Sequence, residues 1–157
     1  MPNFTTSRRV GVPAAVAYGV AADVEAYQQF LPLLQRSEVR GSKQHENGCE
    51  VFEAELTVAY EKLGFRESFV SAVVCDLGKL TVTANSADGP FRAMRTVWSF
   101  KPAGVKTDVT IYIDYNMRNP LVQFAVAAAI GVAVEKVMAA FEVRAKALHE
   151  GATQPQA

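Results

Sequence analysis

The 157-residue sequence holds few of the residues on which catalysis and metal binding depend. It has two cysteines and two histidines, and its ten glycines form no phosphate-binding loop. His45 lies in a polar segment and His149 near the end of a helical pattern, and neither has the spacing of a nucleophilic triad. No group of His, Cys and carboxylate side chains has the spacing of a metal site. The sequence therefore predicts no catalytic residues, no metal and no required cofactor.

An excess of one charge sign is absent as well. Sixteen basic residues balance sixteen acidic ones, and the isoelectric point is about 6.7. Proteins that bind nucleic acid usually carry a basic excess, so DNA is not an expected partner. The N-terminus shows no basic segment followed by an apolar run, and together with two cysteines this predicts a reduced, cytoplasmic protein.

Charge is missing altogether from Leu121 to Val134. This run belongs to a helix predicted from Asn119, a favourable N-cap, to Glu150, with Gly151 as its stop. From Val134 onward, apolar residues recur at three- and four-residue steps, which is typical of a helix lying on a core. The first half is apolar on every face, so one side must contact a cavity wall, a partner or a membrane surface. The run is shorter than the ~20 residues of a bilayer crossing, and no transmembrane helix is predicted.

Alternation of apolar and polar residues predicts strands through most of the remaining chain. The clearest case is Cys49–Tyr60, in which Phe52, Ala54 and Leu56 share one face. Two short helices are predicted at 13–22 and 24–30. The other predicted strands cover 4–12, 35–43, 65–75, 80–85, 91–101 and 107–116. Short turns between them indicate one antiparallel sheet of seven strands wrapped around the long C-terminal helix, an α+β fold.

A curved sheet that grips one helix leaves space between the two, which predicts an apolar ligand cavity. The predicted lining consists of large apolar residues from the short helices, the strands and the long helix: Tyr27, Phe30, Leu31, Leu56, Val58, Phe69, Trp98, Phe100, Ile111, Phe124, Val134, Met138 and Phe141. A membrane or partner rim at the cavity mouth is predicted at Pro32, Leu33, Leu34, Leu121 and Val122. Glu67 shares the strand face of Phe65 and Phe69, and an ion pair at the rim is favoured there over proton transfer.

Two blocks of residues carry a resemblance to a known family. The first is Val20 to Pro32, followed by Ser37 and Val39. The second begins at Gly89-Pro90-Phe91 and continues through Trp98-Ser99-Phe100, Pro102, Asn119-Pro120-Leu121, Met138, Phe141, Arg144 and Ala145. Together they resemble the coenzyme Q-binding START-like family of the polyketide-cyclase superfamily, which also includes the bacterial ribosome-association toxins. The resemblance covers nearly the whole chain.

The resemblance implies a helix-grip fold with ubiquinone as the bound ligand, no established catalytic residues, and a supporting role in respiration or quinone synthesis. Leu33-Leu34 stands where many members have a Trp-Cys pair, so the details of the pocket mouth stay open. Three functions remain as alternatives. They are a quinone carrier or chaperone with peripheral contact at the inner membrane, a protein that binds the large ribosomal subunit, and a cyclase or hydrolase of small aromatic substrates. One START-like domain is expected over residues 1–150, with a disordered tail over 151–157.

Overall fold

Seven strands form one antiparallel sheet in the computed structural model, which describes residues 2–153 and their side chains as far as Gly151. The spatial order is β1-β7-β6-β5-β4-β3-β2. The strands are β1 (Asn3–Val10), β2 (Leu34–Glu46), β3 (Cys49–Tyr60), β4 (Phe65–Asp76), β5 (Thr81–Ser86), β6 (Phe91–Ala103) and β7 (Lys106–Met117). From β3 onward each strand pairs with its predecessor in sequence, and β1 closes against β7. The predicted sheet is confirmed.

Among the described residues, three helices accompany the sheet: α1 (Ala14–Ala22), α2 (Tyr27–Phe30) and α3 (Pro120–Thr153). A 3-10 turn, Val24–Ala26, precedes α2. At the start of α3 the Asn119 Oδ1 accepts hydrogen bonds from the backbone N–H groups of Leu121 (2.9 Å) and Val122 (3.3 Å), as an N-cap does.

The predicted end of the long helix is wrong by a few residues. The helix continues through Gly151 to Thr153, because one glycine near a helix end costs only about 1 kcal/mol of helix propensity. The predicted tail therefore begins inside α3, and residues 154–157 lie outside the described part of the chain.

The edge strand β2 carries two irregularities in its pairing. The register between β2 and β3 shifts between Leu34 and Arg36 and again between Arg40 and Gln44. Gly41 lies within the second shift with a φ of 69°, a conformation that glycine adopts without strain. Such irregularities bend a strand and increase its twist, which lets the sheet curve toward α3.

The second half of α3 fills one end of the space inside the sheet. Met138 and Phe141 are buried there, and the Phe141 ring lies 4.9 Å from that of Trp98 between ring centroids. Outside this core, the Arg8 guanidinium pairs with Glu142 at 3.2 Å and with Glu135 at 3.6 Å. Packing and ion pairs together hold this half of α3 against the sheet, as its amphipathic pattern predicts.

Candidate functional site

The other end of the sheet–helix interior is hollow. A cavity of about 210 Å³ lies between the concave face of the sheet and the first half of α3. Its walls come from the α2–β2 loop, the β3–β4 turn, four strands and α3, through Leu33, Val58, Tyr60, Leu63, Phe65, Phe69, Phe91, Met94, Thr96, Ile113, Tyr115, Met117, Val126, Ala129, Ile130, Ala133 and Val134.

Small side chains on α3 explain why this end is empty. Ala129 and Ala133 lie one helical turn apart and face the sheet across the cavity. At the filled end, the same helix presents Met138 and Phe141 to Trp98. A methyl side chain cannot reach the opposite wall, so the space between helix and sheet stays open at the alanines.

The cavity wall is almost entirely carbon and carries no charge. Its hydroxyl groups belong to Tyr60, Thr96 and Tyr115, and the Thr96 hydroxyl is already directed at the Met94 sulfur at 3.1 Å. Burial raises the pKa of Tyr115, which keeps its hydroxyl neutral. The cavity therefore suits an apolar molecule.

A polar pocket of about 320 Å³, here called the vestibule, adjoins the cavity. The two share walls at Leu63, Phe65, Met117 and Val126. The rest of the vestibule is lined by Gly64, Arg66, Glu67, Pro90, Arg118, Asn119, Val122 and Ala125. The vestibule lining thus includes Arg66, Glu67 and Arg118 next to an uncharged interior.

Four of the residues predicted for the cavity or its rim line it: Val58, Phe69, Val134 and the rim residue Leu33. Nine other residues predicted for the lining belong instead to the packed core or lie against it. They are Tyr27, Phe30, Leu31, Leu56, Trp98, Phe100, Ile111, Met138 and Phe141. The reason is side-chain volume, since aromatic residues from both sheet and helix meet there and close the space.

Phe124 is a further correction, because 80% of its surface is exposed and it lies on the outer side of α3. Its inner neighbours on the helix are Val122 and Val126, which line the vestibule, while Leu121 is 82% exposed. Of the other rim residues, Pro32 is exposed and Leu34 packs against the core. The predicted rim is therefore divided between the cavity wall, the vestibule and the outer surface.

Sequence reasoning missed most of the α3 wall and the β3–β4 turn. The missed signal in α3 is the alanine series Ala125, Ala129 and Ala133, at steps of four residues on one helix face. On the strands, Met94, Ile113 and Tyr115 line the cavity and were not among the predicted lining residues. Which part of each face borders empty space depends on the volumes of the residues opposite, and a single strand pattern does not contain that information.

The outer side of α3 presents an apolar stripe, called here the outer stripe, made of Leu121, Phe124, Ala128 and Val132. Over residues 120–151 the helix is long and apolar enough to cross a membrane by length and composition, and 17% of its most apolar 18-residue window is buried. That criterion alone is weak evidence for a membrane span, because core helices of soluble proteins also meet it.

A model of the family described as polyketide cyclase, dehydrase and lipid transport matches residues 10–142. The chain belongs to this family. The START-like resemblance seen in the sequence is thereby confirmed, and the matched segment contains the cavity walls from Leu33 to Val134.

Two relatives of this family member carry different names. The ribosome association toxin RatA of Pseudomonas aeruginosa is 31% identical over 87% of this chain and 90% of its own length. The mitochondrial coenzyme Q-binding protein coq10 of Schizosaccharomyces pombe is 29% identical over 71% of this chain and 68% of its own length. The solution structure of an 18 kDa protein from Caulobacter crescentus superposes with a TM-score of 0.80, at 25% identity over 96% of this chain and 99% of that one.

Among residues 2–153, no three His, Cys, Asp or Glu side chains come together in a group that could hold a metal ion. Glu67 lines the vestibule, and within the described part of the chain it forms no ion pair within 4.0 Å, contrary to the predicted rim ion pair.

Proposed function

We propose that this protein binds a polyprenyl quinone, ubiquinone, in the cavity and acts as its carrier or chaperone in support of respiration or quinone synthesis. The observation that carries the proposal is the uncharged, carbon-lined cavity that adjoins the vestibule. Each 100 Å² of apolar ligand surface buried there contributes about 2.5 kcal/mol to binding before the cost of association.

The cavity itself favours an occupant. Its walls include Phe, Met, Ile and Val side chains that lack contact partners across the empty space, and such walls lose dispersion energy. An isoprenoid chain restores these contacts without bringing in polar atoms that need hydrogen bonds. The name of the yeast relative, a coenzyme Q-binding protein, supports a quinone among the apolar molecules that this chemistry admits.

We place the carrier at the surface of the inner membrane, on its cytoplasmic side. A quinone resides in the bilayer, so its carrier must contact the membrane to exchange it. The outer stripe supports this location, because Leu121 and Phe124 are exposed on the same helical turns that contribute Val122 and Val126 to the vestibule. Contiguous exposed apolar residues mark membrane or partner sites.

Catalysis has less support than binding. The cavity holds no ionisable side chain besides its two tyrosines, and the vestibule has Glu67 as its one carboxylate. General acid–base chemistry on a small aromatic substrate needs a positioned proton donor and acceptor near the reacting atoms. The family description includes cyclases and dehydrases, but the two named relatives described above are named for binding and for ribosome association.

Ribosome association is the second candidate function, and the RatA relative favours it because the similarity covers 90% of that toxin. The resemblance in the sequence points to the large subunit as the partner. Contact with ribosomal RNA relies on basic side chains that neutralise phosphates. Several basic residues are instead engaged with carboxylates at 2.7–3.6 Å, namely Arg8, Arg9, Arg36 and Lys43.

Mass spectrometry of an organic extract of the purified protein tests the proposal. We expect a co-purifying polyprenyl quinone at a substantial fraction of the protein concentration. An extract without quinone, combined with co-sedimentation of the protein with ribosomes at physiological salt, would replace the first function with the second.

A further inference from the structure

Along both β6 and α3, successive residues contact first the polar vestibule, then the cavity and finally the packed core. Pro90, just before β6, lines the vestibule, while Met94 and Thr96 line the cavity. Trp98 is the next inward-facing residue and lies in the core. Along α3 the order is repeated, with Asn119 at the vestibule, Ala129 and Ala133 at the cavity, and Phe141 in the core. The site therefore has one axis, with a polar end and a closed apolar end.

The closed end offers little to a polar head group. Its walls are uncharged and almost all carbon, so a carbonyl or carboxylate placed there gives up its hydrogen bonds to water without replacement. Ser71 carries a buried hydroxyl with no partner among the described residues. Ser71 is the next residue after Phe69 on the inward face of β4, and it does not line the cavity.

The vestibule offers hydrogen-bond donors instead. Arg118 is held by two bonds to backbone carbonyls, Nε to Gly89 at 3.0 Å and Nη2 to Ala87 at 3.1 Å. Arg66 lies between Phe65 and Glu67 on β4, so its side chain projects from the opposite face of the sheet, where its Nε donates to the Gln35 side chain at 2.9 Å. Arg118 is therefore the cationic donor that the vestibule offers to an oxygen acceptor, and Glu67 is the carboxylate in the same lining.

We infer that the ligand lies with its apolar chain inside the cavity and an oxygen-acceptor head group in the vestibule beside Arg118. This inference rests on the proposed function and adds an orientation and a ligand class to it. The ligand class is a single-chain amphipathic molecule whose head group accepts hydrogen bonds. A quinone carbonyl and a fatty carboxylate share this chemistry.

Trp98, the one tryptophan of the chain, reports the orientation directly. It lies behind the closed end of the cavity, and a bromine atom quenches tryptophan fluorescence only at short distance. We expect dodecanoic acid brominated at its methyl end to quench Trp98 more strongly than the same acid brominated beside its carboxylate. Stronger quenching by the carboxylate-side bromine would mean that the head group enters first, and would overturn the inference.

The head-group site is tested with probes of equal chain length measured by calorimetry: dodecanoate, its methyl ester and dodecylamine. We expect dodecanoate to bind more tightly than the amine, and R118M to weaken dodecanoate binding by about fivefold, the effect of one partly exposed charged hydrogen bond. E67Q should strengthen dodecanoate binding and weaken amine binding. R95M is the matched control, because Arg95 lies between Met94 and Thr96 on β6 and projects from the opposite face of the sheet.

The outcomes separate this inference from the proposed function. If dodecanoate, ester and amine bind equally and R118M matches R95M, the cavity binds apolar chains and the head-group assignment is wrong. If none of the three probes binds, both the inference and the proposed apolar binding function fail.

Discussion

At Gly89 the cavity wall depends on the absence of a side chain. Its φ is 59°, and a Cβ built on it would lie 2.5 Å from the backbone oxygen of Ser68 and 3.2 Å from the Cβ of Phe69. Pro90 and Phe91, which follow it, belong to the vestibule and the cavity. Gly89 thus lets the turn before β6 pack against β4 beside the site.

We expect Gly89→Ala to lower the free energy of unfolding by about 2–4 kcal/mol, because the methyl group adds a backbone clash to the strain of a left-handed conformation. Gly64→Ala is the control, since Gly64 has a φ of 61° and no atom lies within 4 Å of the position that a methyl group would take there. It should cost about 1–2 kcal/mol from strain alone. Urea denaturation compares the two, and equal losses would show that the close approach at Gly89 relaxes freely.

The two cysteines differ in burial, and their reactivity should differ accordingly. Burial raises the pKa of the Cys75 thiol to about 12, and Cys75 is 2% exposed, whereas Cys49 is partly exposed. The thiolate is the reactive form, so Cys75 stays a neutral, unreactive thiol below that pH in the folded protein. At about pH 8 we expect iodoacetamide to modify Cys49 and to spare Cys75 until the protein is denatured. Peptide mass mapping that found native Cys75 alkylated first would contradict the packing of β3 and β4.

At the scale of secondary-structure elements, the sequence predicted the sheet well because strand patterns are local. The bounds of β3 were predicted as observed, and those of β2 and β6 differ by up to three residues. Alternation marks which residues face inward, and turn residues mark where each strand ends. The end of α3 was less predictable, since nothing local prevents the helix from continuing through Gly151.

The candidate site was only partly predictable from the same patterns. The existence of an apolar cavity under the long helix followed from strand order, but its position did not. Trp98 and Phe141 are large enough to fill the space between sheet and helix, whereas Ala129 and Ala133 leave it open. This outcome depends on pairs of residues brought together from distant parts of the chain, and no single segment specifies it.

The outer stripe of α3 supports an element-scale prediction. Leu121→Glu combined with Phe124→Glu should leave the fold intact, because both side chains are at least 80% exposed. Charging the stripe should abolish co-flotation with vesicles of anionic and neutral phospholipid, since an inserted carboxylate must be desolvated. Circular dichroism confirms folding of the variant.

Leu77→Glu combined with Val105→Glu is the matched control for this experiment, because these residues are also exposed and apolar but lie in turns of the sheet. Unchanged flotation of the outer-stripe variant, or failure of the wild-type protein to float, would exclude α3 as the membrane contact.

At the scale of the whole molecule, one end is built for stability and the other for binding. Aromatic packing and the ion pairs of Arg8 hold the second half of α3. The first half covers an uncharged cavity, borders the vestibule and exposes the outer stripe. Filling the cavity should therefore remove ligand binding without disturbing the fold.

The most direct test is the amount of polyprenyl quinone that co-purifies with Ala129→Phe, measured by mass spectrometry of organic extracts. The new ring occupies the cavity, so the variant should lose the quinone while its thermal stability is kept or raised. Ala127→Phe, on the exposed side of the same helix, should retain as much quinone as the wild-type protein. Equal quinone in all three extracts would contradict the assignment of this cavity as the ligand site.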